Sequence, residues 1–322
     1  MTWFPGVRLH VVSGKGGTGK TTVAAALAVA LAGRGGKVLL VEVEGRQGLA
    51  GQFGHPPLPY AETRLARVAG GGEVFGLTVD PELALIEYLD MFYKMGRAGR
   101  VLRRMGAIDF VTTVAPGLRD VLLTGKVKES VIRRSGERHA YDAVVLDAPP
   151  TGRIVRFLGA TDEVGHMAKV GPIHRQSEAV MTLLRSSQTA IHLVTLLEEM
   201  PVQETVDGVA EIRKAGLPIG AVFVNKVREP KLGAADLQKA LRGGLDLDAL
   251  AGALAKVGLE ATDEAVMVLG VEARQHAERV SLENAERGEL EALGVPLVEL
   301  PLLAETIDLG SLRVLAGLIE AQ

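Results

Sequence analysis

The sequence contains no cysteine. That excludes disulfides, thiolate zinc sites and thiol nucleophiles, and it fits a reducing compartment. Neither charge dominates: 36 Lys plus Arg stand against 39 Asp plus Glu, a net charge of -3. No global field therefore draws the chain to nucleic acid or to anionic lipid. No apolar run reaches the length of about 18 residues that a membrane-crossing helix needs. The most apolar helical stretch, Thr22 to Ala32, is short and rich in Ala, so no transmembrane segment is expected. Met1 to Arg8 lacks a basic segment followed by an apolar core, which reads against a signal peptide. The expectation is a cytoplasmic protein. Tandem repeats and low-complexity tracts are missing too. The seven histidines show no metal-ligand spacing; His166 and His174 stand eight apart among polar residues.

What remains is a chain of 322 residues, 47% hydrophobic and 23% charged, the balance of a globular protein able to bury a large core. Leu9 to Val12 is an apolar run feeding Ser13-Gly14, Thr21 to Arg34 reads as an Ala/Leu/Val helix stopped by Gly35-Gly36, and Lys37 to Val43 is a β-branched and Leu-rich run. Strand, helix and strand make one βαβ unit and imply a buried parallel sheet. Further strands are expected at Tyr141 to Leu146, Ala190 to Leu196, Ile219 to Asn225 and Val295 to Leu300. The alternation predicts a doubly wound, mostly parallel α/β fold. Asp80-Pro81-Glu82 supplies an N-cap, a first-turn proline and an acid, and opens a helical stretch to Arg134; a second runs from Thr161 to Ser187. We read a single P-loop domain over 1–322, with helical insertions at about 80–137 and 161–188.

Gly14-Lys15-Gly16-Gly17-Thr18-Gly19-Lys20-Thr21 matches G-x-x-x-x-G-K-T between a strand and a helix that continues with Thr22. In such a loop, backbone N–H groups close around phosphate oxygens, Lys20 pairs with the terminal phosphates and Thr21 binds magnesium. Gly14-x-Gly16-x-x-Gly19 also satisfies the dinucleotide fingerprint, with Glu42 or Glu44 where a ribose-binding acid would sit. The runner-up function is accordingly a nicotinamide-dependent oxidoreductase. Two features separate the readings: Lys20-Thr21, which a triphosphate with magnesium needs and a pyrophosphate does not, and an Asp ending a later apolar strand. Tyr141 to Asp147 (YDAVVLD) is such a strand. Its Asp147 is expected to hold magnesium through water.

With Lys15 inside the loop, Glu44 after the second strand and Asp147-Ala-Pro-Pro-Thr-Gly152, the chain resembles the arsenite-pump and tail-anchored-protein-targeting ATPases, most nearly their actinobacterial relatives. The resemblance runs from the first strand to the last. It implies a deviant Walker A loop whose early lysine, here Lys15, reaches the partner's phosphates across a dimer interface. It also implies a water-orienting residue at Glu44, where the family has Asp; the extra methylene leads us to expect slow hydrolysis. Asp147 and Thr151 to Arg153 take the place of the γ-phosphate-sensing switch, with Arg153 standing where the family usually has histidine. Asn225, at the end of its strand, and Pro301 and Leu302 fall on the adenine side.

The resemblance thus implies an Mg-dependent ATPase switch using ATP/ADP and magnesium. The missing cysteines remove zinc and arsenite thiol ligands. Its dimer is formed with a like chain or with a paralogous ATPase, and in the second case a hydrolysis-poor subunit is the alternative. The family holds hydrophobic protein clients in the inserted region, where Met91, Met95, Met105, Met167 and Met181 fall; flexible methionines suit a permissive groove and equally fill a core. The run Lys94, Arg97, Arg100, Arg103 and Arg104 reads as one solvated helix face. No nucleic-acid partner is expected.

Overall fold

The computed structural model describes residues 4–43, 48–93, 116–167, 172–303 and 306–321. The opening unit is β1 (Leu9–Gly14), α1 (Lys20–Ala32) and β2 (Lys37–Glu42). Every residue of β1 is buried, as are all but the first of β2. That leaves these strands only the centre of a sheet covered on both faces. The chain continues through α2 (Gly48–Gln52), β3 (Thr63–Arg67), β4 (Glu73–Thr78), α3 (Pro81–Tyr93), α4 (Pro116–Ile132) and a short hairpin of β5 (Arg134–Ser135) and β6 (Arg138–His139). Then come β7 (Ala143–Asp147), α5 (Thr151–Met167), α6 (Pro172–Leu184), β8 (Thr189–Thr195), α7 (Glu199–Lys214) and β9 (Ile219–Val227). The last elements are α8 (Ala234–Leu241), α9 (Leu247–Lys256), α10 (Asp263–Glu291), β10 (Leu297–Pro301) and α11 (Leu309–Glu320).

Eight strands form one sheet in the order β10-β9-β8-β1-β7-β2-β4-β3. All neighbours are parallel except β3 with β4. The chain winds away from β1 in both directions, to β7 and β2 on one side and to β8 and β9 on the other. A crevice opens at the carboxyl ends of the strands at such a point. Register lines up the residues there: Val12 and Glu42 both pair with Asp147, and Gly14 pairs with Val194.

Two cores flank the sheet. One packs α1, with Val23 to Ala30 fully enclosed, against β1, β2 and the α11 residues Leu312, Leu315 and Ile319. Its alanines let the helix lie between the sheet and a second helix. The other core carries Leu122, Val127, Ile154, Phe157, Leu158, Val180, Val202 and Val209 from α4, α5, α6 and α7.

Several expectations change in detail. The pair β3 and β4 was not anticipated: TRLAR buries only Leu65 and Ala66, and EVFGLT carries Gly76 packed on Leu58 and Leu65, so neither shows an apolar run. The cap at Asp80 is present, its Oδ1 accepting the N–H groups of Glu82 and Leu83 at 2.9 Å. The helical stretch expected from Thr161 begins ten residues earlier, at Thr151; Thr161 is buried in mid-helix with its hydroxyl 2.9 Å from that of Thr124. Met181 is buried in the second core, where it fills space while also bordering a surface cavity with Val155, Gly159 and Leu217. Glu44, Lys94, Met95, Arg97, Arg100, Arg103, Arg104 and Met105 lie outside the described residues, as do the side chains of Met91, Met167 and His166.

Buried between the strands is a histidine pair. Ala221 donates its N–H to His192 Nδ1 at 3.1 Å, so that nitrogen carries no proton and the neutral ring donates from Nε2 to His10 Nδ1 at 3.1 Å. The remaining proton of His10, on Nε2, has no acceptor among the described residues. Burial pushes His10 down to about 4, and burial, then the neighbouring His10, pushes His192 well below its ordinary value. Above about 6.5 both rings are neutral whether folded or unfolded; as pH falls below it the unfolded chain binds protons that the folded chain refuses. Stability is therefore expected to fall between about pH 6.5 and 5, by about 2 kcal/mol from His10 and further from His192, read as a lower urea midpoint. A His10→Leu/His192→Leu variant loses that slope, and an equal slope in the variant would contradict the assignment.

Candidate functional site: a phosphate loop braced by two strand ends

The loop leaves β1 at Gly14, where a Cβ would collide with the Val194 carbonyl. It turns through Gly17 at φ 89° and Gly19 at φ 92°, left-handed positions that cost glycine little. Gly19 is the N-cap of α1 and brings no side chain to cap it. The first N–H groups of α1 thus point into the crevice without an intrahelical partner, the arrangement that binds anions. Thr18, buried, folds its hydroxyl onto the Lys15 carbonyl at 2.8 Å, while Gly16 and Gly17 stay exposed.

Two residues at the end of β9 hold this shape. Asn225 Nδ2 donates to the Thr18 carbonyl at 2.8 Å, and Lys226 Nζ donates to the Gly17 carbonyl at 3.1 Å. Lys226 has φ 57°, the one left-handed residue other than glycine among the described residues. Such a conformation marks a position fixed by its surroundings. A Cβ on Gly19 would collide with the Asn225 amide, so the small residue and the brace require each other.

On the other side of β1, Thr21 donates its hydroxyl to Asp147 Oδ2 at 2.6 Å. Asp147 and Lys20 are both nearly enclosed, at 7% and 8% exposure. Low exposure matters because a charge near the loop then acts with less screening. Ser13 donates to the Pro149 carbonyl at 2.6 Å, tying the loop strand to the turn after Asp147. Thr151 opens α5 with its hydroxyl buried and unpartnered and its methyl against the place a Gly208 side chain would fill. Arg153 follows two residues into the helix, exposed.

Glu42 is almost fully buried beside Asp147. Its Oε1 accepts the Gly48 N–H at 3.2 Å and its Oε2 the Thr78 hydroxyl at 3.2 Å. It therefore ties the start of α2 to the end of β4. Gln52 donates to Thr22 Oγ1 at 3.1 Å, and its Oε1 is buried without a partner. Lys15, about one-third exposed, lies 3.9 Å from Glu204 of α7.

The residues read as adenine-side divide. Asn225 spends its amide N–H on the loop, while Pro301 and Leu302 line a cavity of about 1220 Å³ with Val227 and Arg228, closed by Leu250, Leu269 and His276 of α9 and α10. Leu302 N–H donates to the Val227 carbonyl at 2.8 Å, which joins the two strand ends at its mouth. Sequence reasoning missed Ser13, Gln52, Glu204 and Lys226. Only the Asn-Lys at a strand end gave any signal, and it was read for base choice.

A strand–glycine loop–helix with Lys20-Thr21 and a facing Asp147 defines the class of P-loop nucleotide-binding proteins. The sequence profile of the anion-transporting ATPases matches residues 7–187. The chain is 53% identical over 318 residues to ATPase BagA of Mycobacterium tuberculosis, covering 98% of this chain and 94% of that one. ATPase GET3B of Arabidopsis thaliana is 25% identical over 272 residues, 69% of this chain and 65% of that one. ATPase ARSA1 of Chlamydomonas reinhardtii is 25% identical over 297 residues, 72% and 37% of the two chains. The chain belongs to the anion-transporting ATPase family, whose chemistry is ATP binding and hydrolysis. No helix among the described residues is long and apolar enough to cross a membrane.

The Gly19–Asn225 contact yields a test. Gly19→Ala should weaken ATP binding at least tenfold in equilibrium titration, about 1.4 kcal/mol. Removing the obstructing amide as well, in Gly19→Ala/Asn225→Ala, should cost no more than Gly19→Ala alone, because residues in contact do not add. Losses that simply summed would show that the two positions do not constrain each other.

Proposed function

We propose that this protein is an Mg-ATP-dependent dimeric switch whose nucleotide state is passed to the helices α3 to α6. The observation that carries this reading is the Thr21–Asp147 hydrogen bond, made at the uncapped start of α1 beside an enclosed Lys20. A hydroxyl and a carboxylate are hard oxygen donors of the kind magnesium takes, with its other positions left to water and phosphate. They fit the ion, which Thr21 and Asp147 would hold. Magnesium, when bound, supplies charge neutralisation at the β- and γ-phosphates. In this reading Gly14 to Thr22 hold the phosphates and the cavity at Pro301 and Leu302 takes the adenine.

The dinucleotide alternative asks for a free acid at the end of β2, and of its two candidates Glu42 is committed to Gly48 and Thr78; Lys20-Thr21 facing Asp147 supports the triphosphate. Hydrolysis is in-line attack of water on the γ-phosphorus, breaking the bond to the β-phosphate's bridging oxygen and giving ADP and phosphate. Glu44 orients the water, and Lys15 and Lys20 stabilise the charge. Within one chain Lys15 rests near Glu204. Such a pair, about one-third exposed, is worth about 0–1 kcal/mol, little enough to be released when Lys15 crosses to the partner. Thr151, four residues beyond Asp147, begins the helix α5 that packs on α4 and α6. Its unpartnered hydroxyl costs about 1–3 kcal/mol, and loss or gain of the γ-phosphate would tip that balance. The client is an apolar protein segment, and the dimer partner a like or paralogous chain.

Sedimentation with Mg-ATP should show the particle mass doubling for the native chain and not for Lys15→Ala, whose turnover drops at least 100-fold. Glu44→Gln should lower turnover at least tenfold with the dimer intact. Unchanged turnover in both variants would contradict the proposal.

A further inference from the structure

At the end of the sheet away from the phosphate loop, the starts of β2 and β7 and the hairpin of β5 and β6 enclose a cleft of about 620 Å³. Strands of six residues set it about 20 Å from the loop. Four cationic side chains line it, Lys37, Arg133, Arg134 and Arg138, against two carboxylates, Glu62 and Asp142. Both carboxylates are already committed. Glu62 accepts from Arg133 and from the Tyr141 hydroxyl, and Asp142 accepts the Lys37 backbone N–H at 2.7 Å. Among the described residues no ion pair joins Arg134, Arg138 or the Lys37 ammonium to a carboxylate.

The unbalanced charge is felt by its neighbours. His139 stands directly across the hairpin from Arg134 and so shares its face. Desolvation, then Arg8 and Arg134, hold His139 below its ordinary value. Arg8, whose guanidinium donates to the Tyr141 carbonyl at 2.8 Å, is lowered by burial and by Arg134 despite the opposing pull of Asp142. Arg133 and Arg134 directly follow α4, where cations complement a helix end. That accounts for two arginines; Arg138, opposite Ser135 on the second strand of the hairpin, makes no ion pair among the described residues.

We propose that this cleft is an anion site for a phosphate-bearing ligand of about two negative charges, held by Arg134, Arg138 and Lys37. Guanidinium forks match phosphate oxygens in pairs, and two excess cations suit a phosphate monoester. The site is separate from the nucleotide loop and does not depend on the switch described above.

The test follows the His139 imidazole by NMR, with the loop saturated by Mg-ADP and inorganic phosphate as probe. In the native chain phosphate should raise the His139 pKa toward 6.5 or above; in Arg134→Gln/Arg138→Gln, two exposed substitutions that lower the melting temperature by no more than the loss of one helix-end cation, phosphate should produce no rise. A native His139 unmoved by phosphate, or an equal rise in the variant, would overturn the site. Cosedimentation with phosphatidate and with phosphatidylcholine vesicles separates the sources. Phosphatidate-specific retention lost in the variant assigns a lipid headgroup, whereas the imidazole response without retention assigns a free phosphate compound.

Discussion

One hydrogen bond organises the nucleotide end of this molecule: the Thr21 hydroxyl on the Asp147 carboxylate, 2.6 Å across the boundary between α1 and β7. It exists because β7 is inserted between β1 and β2, which sets Asp147 level with Val12 on one side and Glu42 on the other. From that junction the chain leads in two directions. Beyond Asp147, Ser13 anchors the turn through Pro149 and Thr151 starts the helix that reaches the far layer. Beyond Glu42, the carboxylate grips Gly48 at the start of α2 and Thr78 at the end of β4. In the proposed switch, a change at this one point would be passed to both segments.

The other half of the loop depends on β9. Asn225 and Lys226 spend their polar side chains on loop carbonyls, which holds the backbone N–H groups turned inward. Preorganisation of this kind matters because donors already aimed at a developing charge need no reorganisation during reaction. It also explains why Lys226 accepts a left-handed backbone: its ammonium reaches Gly17 from there.

Much of this was legible in the chain because it rests on local rules. β1, α1 and β2 declared themselves through continuous apolar runs and the glycines between them, and Asp147 through its place at the end of YDAVVLD. The edge pair β3 and β4 did not, since an edge strand needs few apolar residues and Thr63–Arg67 has two charges among five positions. Long-range partners were equally silent. Nothing in the sequence says that Gln52 touches Thr22, that Glu204 lies beside Lys15, or that His10 and His192 share a proton bridge, because each contact depends on how whole elements stack. The basic cleft belongs to the same group: Lys37 is about a hundred residues from Arg134 and Arg138 in the chain until β2 and β7 pair.

The central claim is that the loop is built for a triphosphate with magnesium. Equilibrium binding of ATP with and without magnesium, set beside NAD, tests it most directly in the native chain and in Asp147→Asn. The account predicts that magnesium tightens ATP binding at least tenfold in the native chain, that Asp147→Asn loses most of this gain, and that NAD binds neither. NAD bound tightly with ATP ignored, or ATP affinity indifferent to magnesium and to Asp147, would contradict it.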